Sequence, residues 1–255
     1  MSRITTYREG VPCWTDLTTP DVTAGKQYYG ELFGWKYEDT GEAGGGYQLA
    51  TLHGLRVAGI GPRQPGDQAP PRWTAYLAAD DVDQVATRIR EAGGTVLMEP
   101  TDVTDQGRMA MAADPAGAAF GLWQGKSHGG SGLANEPGTF TWNENLSTDP
   151  ATARSFYQQV FGYEYEAMPD MDYTVAKVAG NPVGGIGEQP SGVPAGAPSF
   201  WNTYFSVADT DRCCSRVVEL GGRVEVEPFD TPYGRVAVVR DDLGAAFCLI
   251  SQPEK

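Results

Sequence analysis

Two short segments place a carboxylic acid two residues after an indole: Trp14-Thr15-Asp16 and Trp142-Asn143-Glu144. Residues two apart on a strand share a face, so each acid shares a surface with a tryptophan. A carboxylate beside flat apolar surface is costly to ionise, and the same desolvation lifts its pKa toward the range useful for proton transfer. Thr74 with Tyr76 and Asn202 with Tyr204 repeat the spacing with a small polar group and a phenol. These residue types suit a pocket for a planar molecule, with rings to stack on, a hydroxyl to polarise a carbonyl, and an acid or base. The bland reading stays open: aromatics on strands serve core packing, and a rim carboxylate wetted by solvent or paired with arginine does no chemistry. Other chemistries lack their parts. Only two histidines occur, His53 and His128, no Ser-His-Asp set assembles, and no P-loop or G-x-G-x-x-G motif follows a strand.

The elements that must position these groups come in copies. "WTDLTTPDVTAGKQYYGELFGWKYE" from Trp14 matches "WNENLSTDPATARSFYQQVFGYEYE" from Trp142, an offset of 128 in the numbering. "RWTAYLAADDVDQVATRIREAGG" from Arg72 matches "FWNTYFSVADTDRCCSRVVELGG" from Phe200, and "GRMAMAADPAGAAFGLW" from Gly107 matches "GRVAVVRDDLGAAFCLI" from Gly234. Two homologous domains, 8–125 and 137–252, therefore fill the chain. The stretch 126–136 between them reads as a flexible linker by its glycine and polar content, and His128 as a residue of it. In each domain a strand leads into a helix started by an aspartate, Asp21 or Asp149, and stopped by glycine; Pro150 fits the first helical position. A hairpin turning at His53 and Gly54 follows, and a second half-unit repeats strand, helix and three strands. Arg108 and Arg235 open matched strands, and exposed turn arginines are the default reading for both.

Nineteen basic against 33 acidic residues give a net charge of −14, which repels phosphate backbones and anionic membranes. Neither nucleic acid nor a membrane is an expected partner. The N-terminal "MSRITTYREG" has no apolar core or small-residue cleavage site, so a cytoplasmic location is expected. Cys13, Cys213, Cys214 and Cys248 show no C-x-x-C spacing and read as reduced and structural.

The lines "TTPD…YYGELFGW", "ADDVDQVATRIREAGG" and "DPAGAAFGLW" resemble the vicinal oxygen chelate superfamily, the glyoxalase, bleomycin-resistance and extradiol dioxygenase group. The resemblance implies an α+β fold of two tandem glyoxalase-like domains, each of two βαβββ modules forming a half-open barrel around a ligand cleft. It also implies that the domains pack as an intramolecular pseudo-dimer, with monomer or homodimer both open. Metal-using members carry ligands on the first strand, on the strand opening the second half, and on the last strand. Those positions fall here on Trp14, Thr74 and Gly121, and on Trp142, Asn202 and Cys248. An indole offers no lone pair and glycine no ligand at all, so no metal and no other cofactor is expected. Strand alternation then turns Asp16, Tyr76 and Trp123 toward the first cleft, and Glu144, Tyr204 and Ile250 toward the second. The expected function is binding of an aromatic or polyketide-like small molecule by a natural-product tailoring enzyme of lyase or isomerase type. Glu144 or Asp16 moves the proton, and Tyr204 or Tyr76 polarises a carbonyl. Trp14, Thr74, Trp123, Trp142, Asn202 and Cys248 form the binding surface. With carboxylate, amide and thiol together the second domain holds the more reactive set, and the first looks like a binding platform. Two alternatives remain: a drug-sequestering resistance protein without catalysis, and a metal-dependent glyoxalase-type lyase or dioxygenase.

Overall fold

The computed structural model describes residues 3–169, 171–191, 193 and 196–252. The first module runs β1 (Pro12–Thr19), α1 (Val22–Phe33), β2 (Lys36–Asp39), β3 (Gln48–Leu52) and β4 (Leu55–Pro62). The second runs β5 (Arg72–Ala78), α2 (Val82–Glu91), β6 (Thr95–Val103), β7 (Gly107–Ala113) and β8 (Ala119–Gly125). The second domain repeats the series with β9 (Phe140–Ser147), α3 (Pro150–Phe161), β10 (Glu164–Ala167), β11 (Tyr173–Val178) and β12 (Asn181–Glu188). It ends with β13 (Phe200–Ser206), α4 (Thr210–Glu219), β14 (Arg223–Thr231), β15 (Gly234–Arg240) and β16 (Ala246–Ser251). The aspartates act as expected: Asp21, Asp81, Asp149 and Asp209 each accept a backbone N–H in the first turn of their helix. Gly34 and Gly162, at φ 75° and 70°, end α1 and α3 in the left-handed conformation that glycine adopts freely.

Each domain forms an eight-stranded, unclosed sheet, in the orders β2-β3-β4-β1-β5-β8-β7-β6 and β10-β11-β12-β9-β13-β16-β15-β14. The two modules of a domain join through the antiparallel pairs β1–β5 and β9–β13. One face of each sheet carries helices and the other curves around a cleft.

The helix-bearing faces are shared between domains. Tyr29, Phe33 and Trp35 of the first module pack with Phe205, Val217 and Phe247 of the fourth, and Val85, Ile89 and Phe120 of the second pack with Phe156, Tyr157 and Val160 of the third. The expected pseudo-dimer is therefore built inside one chain. Polar groups in these shared cores are matched across the pseudo-symmetry. Tyr29 donates to Asp241 Oδ2 at 3.0 Å and receives the Trp73 indole N–H at 3.0 Å; Tyr157 donates to Asp114 Oδ2 at 3.2 Å and receives that of Trp201 at 2.9 Å. Thr15 and Thr203 meet hydroxyl to hydroxyl at 3.4 Å where the central strands approach.

The linker corrects an expectation. Far from being slack, it is a strap bonded onto the first domain: Ser131 N–H donates to Cys13 C=O and Gly132 N–H to Arg56 C=O, both at 2.8 Å, and Ser131 and Leu133 are buried. Its glycines serve close approach rather than flexibility. A Cβ on Gly130, at φ 105°, would stand 2.7 Å from the Cys13 carbonyl oxygen.

Candidate functional site

Register places the predicted residues of the first cleft on one face. Asp16 lies opposite Thr74, Trp14 opposite Tyr76, and Tyr76 beside Gly121 on β8. Trp14, Asp16, Thr74, Tyr76 and Trp123 are all buried, and all but Thr74 line a cavity of about 560 Å³. Thr74 stands at the margin of this group.

Asp16 is 9% exposed, and among the described residues no arginine is hydrogen-bonded to it. Instead Tyr76 donates to its Oδ2 at 2.9 Å and Tyr47 to the same oxygen at 3.2 Å. Tyr47 in turn accepts the Trp14 indole N–H at 2.9 Å, so indole, two phenols and carboxylate form one chain. Burial pushes the Asp16 pKa up to about 6; the two hydroxyls and, more weakly, Arg72 pull it back. In this arrangement the Tyr76 proton is engaged on Asp16 rather than free for a carbonyl.

Tyr47 was not anticipated. It precedes β3, which is separated from β1 by β4 in the sheet order. It reaches Asp16 by lying across Gly59 and Gly61 of β4: a Cβ on either would stand 1.7 Å and 2.9 Å from its phenol. The repeat carried the signal, since Tyr173 lies over Gly185 and Gly187 in the same way.

His128 is the second residue missed, and the reading of it as a mere linker residue is corrected. The strap carries it into the first cleft, where it is 7% exposed and lines the cavity. Its ring stands edge-on to Trp14, centroids 4.5 Å apart, and its carbonyl accepts the Trp123 indole N–H at 2.7 Å. Burial, with Arg56 nearby, pushes its pKa down to about 4, so the imidazole is neutral at neutral pH. Its Nε2 has no hydrogen-bond partner among the described residues. The repeat could not reveal it, because the strap has no counterpart between matched segments.

The second cleft reproduces the chain with substitutions. Tyr204 donates to Glu144 Oε2 at 2.8 Å and the Trp142 indole donates to Tyr173 at 3.1 Å. Burial raises the Glu144 pKa against hydrogen bonds from Tyr204 and Tyr173. Asn202 donates to Cys248 Sγ at 3.0 Å, and burial pushes that thiol up to about 12. Glu144, Trp142, Asn202 and Tyr204 are only half-buried, and the aromatic Trp123 has Ile250 in its place.

Arg108 and Arg235 stay outside both clefts. Each pairs with an aspartate in the first turn of the neighbouring helix, Asp83 at 2.8 Å and Asp211 at 2.9 Å. His53 is exposed at its hairpin tip.

In the first domain the family's metal positions do not fit a cation. The Trp14 N–H is a donor spent on Tyr47, and at Gly121 the Tyr76 ring fills the space a ligand would cross: a Cβ there would lie 2.1 Å from it. Among the described residues no three of His, Cys, Asp and Glu converge.

Comparison with known proteins agrees with this architecture. The model of the Glyoxalase/Bleomycin resistance protein/Dioxygenase superfamily matches residues 13–122 and 146–249. CFP32 of Mycobacterium bovis, provisionally named a glyoxylase, is 43% identical over 258 residues, covering 98% of both chains. The anthracycline biosynthesis protein DnrV of Streptomyces peucetius is 38% identical over 271 residues, covering 98% of this chain and 96% of its own. The Mn(II)-bound glyoxalase from Novosphingobium aromaticivorans superposes with a TM-score of 0.67 at 18% identity, covering 100% of this chain and 84% of that one. With the matched modules, the shared helix layers and the paired clefts, these likenesses settle the family: the chain belongs to the glyoxalase, bleomycin resistance protein and dioxygenase superfamily.

Proposed function

We propose that the first-domain cavity binds a planar, aromatic, polyketide-like molecule and that Asp16 exchanges a proton with it, in a cytoplasmic reaction of lyase or isomerase type that needs no metal or other cofactor. The carrying observation is the Asp16 carboxyl, sheltered in an aromatic wall with both tyrosine hydroxyls spent on Oδ2. Oδ1 accepts from neither phenol and is the oxygen offered to a ligand proton. A pKa near 6 lets the group take a proton as base and return it as acid near neutral pH. Elimination, cyclisation and isomerisation each need only such a transfer between positioned atoms. Tyr76 and Tyr47 hold the carboxylate and stabilise its ionised form, and Trp14 and Trp123 supply ring faces for stacking. The name of DnrV, an anthracycline biosynthesis protein, supports a natural-product substrate. The first domain is preferred over the second because its cleft is the enclosed one. The Cys248 thiol, which had pointed to the second, stays protonated at neutral pH.

The test is tryptophan quenching by a panel of planar polyketides, followed by mass-spectrometric product analysis of any that bind. The Asp16→Asn variant is expected to bind the ligand and to lose at least about a hundredfold in turnover, the usual worth of a general acid or base. Undiminished turnover refutes the assignment. Binding with no product from the native protein supports sequestration, the reading that the aromatic walls alone would favour.

A further inference from the structure

The charges at the cavity mouth are lopsided. Glu38, Asp39 and Asp105 line it beside Arg56, the one cation among the described lining residues. The Arg56 Nε is already bound to Glu38 Oε2 at 3.3 Å and its Nη1 to the Gln106 side-chain oxygen at 3.1 Å. Among the described residues Asp39 and Asp105 have no cationic partner; the Asp39 side chain accepts the Gly41 N–H, and that of Asp105 accepts from the Gln106 and Thr104 side chains. Deeper in, His128 adds no charge, and Trp14, Trp123 and Tyr76 line the cavity with aromatic rings, a residue type whose faces attract cations. At the matched positions the second domain holds Ala167 and Pro232 where the first has Asp39 and Asp105.

We propose that the ligand of the first-domain cavity is a cationic aromatic, a planar ring system whose protonated amine sits at the mouth between Asp39 and Asp105. The proposal rests on the aromatic-binding function above and narrows its substrate class. Two exposed carboxylates beside a concave cavity concentrate organic cations at its mouth and repel anions, which disfavours carboxylated or phosphorylated substrates. The amine remains hydrated on its outer side, so the cation loses little solvation on entry.

Three matched probes test it by calorimetry at pH 7.5: 9-aminoacridine, a cation; acridine, its neutral counterpart; and acridine-9-carboxylate, an anion. The cation is expected to bind about tenfold more tightly than acridine and to displace it, with the anion weakest. That advantage should shrink in 0.5 M salt and fall to about one in the Asp39→Asn/Asp105→Asn double variant. Both sites are exposed, and asparagine keeps the acceptor oxygen that each aspartate uses locally, so folding is preserved. Equal affinity for cation and neutral ring, or an advantage that survives the double variant, overturns the proposal while leaving aromatic binding standing. If none of the three binds, the aromatic cavity itself is refuted and the cation preference falls with it.

Discussion

Replacing Asp16 by asparagine gives the most direct measure of how strongly the first cleft shields its carboxyl. In the unfolded chain this group titrates near 3.8, and in the folded chain burial holds it at about 6. Between those values the native state binds more protons than the unfolded state, so stability falls as pH rises through the window and is lowest above pH 6. The difference of roughly two pKa units corresponds to about 3 kcal/mol, and the part that falls between pH 4.5 and 8 to about 2 kcal/mol. With the residue 9% exposed, solvent screening takes little from this figure. Asparagine keeps the shape and one acceptor for Tyr47 and Tyr76 but has no charge to bury. Urea denaturation followed by circular dichroism at the two pH values, on both proteins, isolates the effect, since every other titrating group is common to them. Asp16→Asn should gain about 2 kcal/mol relative to the native chain on going from pH 4.5 to 8. Parallel stability profiles would mean that the carboxyl is wetted, and a wetted carboxyl has no claim to act near neutral pH.

Three further outcomes follow from the packing. Gly121→Ala should cost about 1–3 kcal/mol in urea denaturation, because its methyl meets the Tyr76 ring and drives it off Asp16. Tyr47→Phe removes a bond that favours the ionised acid, so the Asp16 pKa should move upward; carbon-13 chemical shifts of labelled aspartate read the direction. Asp241→Asn should lose about 1–3 kcal/mol by the same denaturation assay, since Oδ1 accepts the N–H groups of Leu243, Gly244 and Ala245 while Oδ2 accepts Tyr29 from the other domain.

The repeat made most of the fold legible. Asp21 and Asp149 announced helix starts, Gly34 and Gly162 their ends, and alternation along β1 and β5 turned Asp16 and Tyr76 the same way. What escaped was contact that no local pattern encodes. Tyr47 reaches the acid only because two glycines flatten an intervening strand, a relation between three segments far apart in sequence. His128 was hidden by composition: Gly129 and Gly130 beside it suggested slack chain, whereas Gly129 lets the backbone press onto Thr5 and Gly130 onto Cys13 of β1. The relative merit of the two clefts also depended on enclosure, which the strap supplies to one of them and which residue types alone do not express.

The shared helix layers carry a further consequence. Each sheet has one face committed to the opposite half of the molecule and one face that answers only to whatever enters its cleft. A symmetric pair of separate, identical chains would have to draw both clefts from a single sequence, so any change useful in one would be imposed on the other. Joining the halves end to end removes that constraint, and the join itself introduces the first asymmetry by roofing one cleft with the connecting strap. Aspartate against glutamate, threonine against asparagine, and tryptophan against isoleucine then follow on the free faces, while the tyrosine and aspartate pairs on the committed faces stay matched. The molecule is a dimer that has been given permission to differ from itself, on one side of each sheet only.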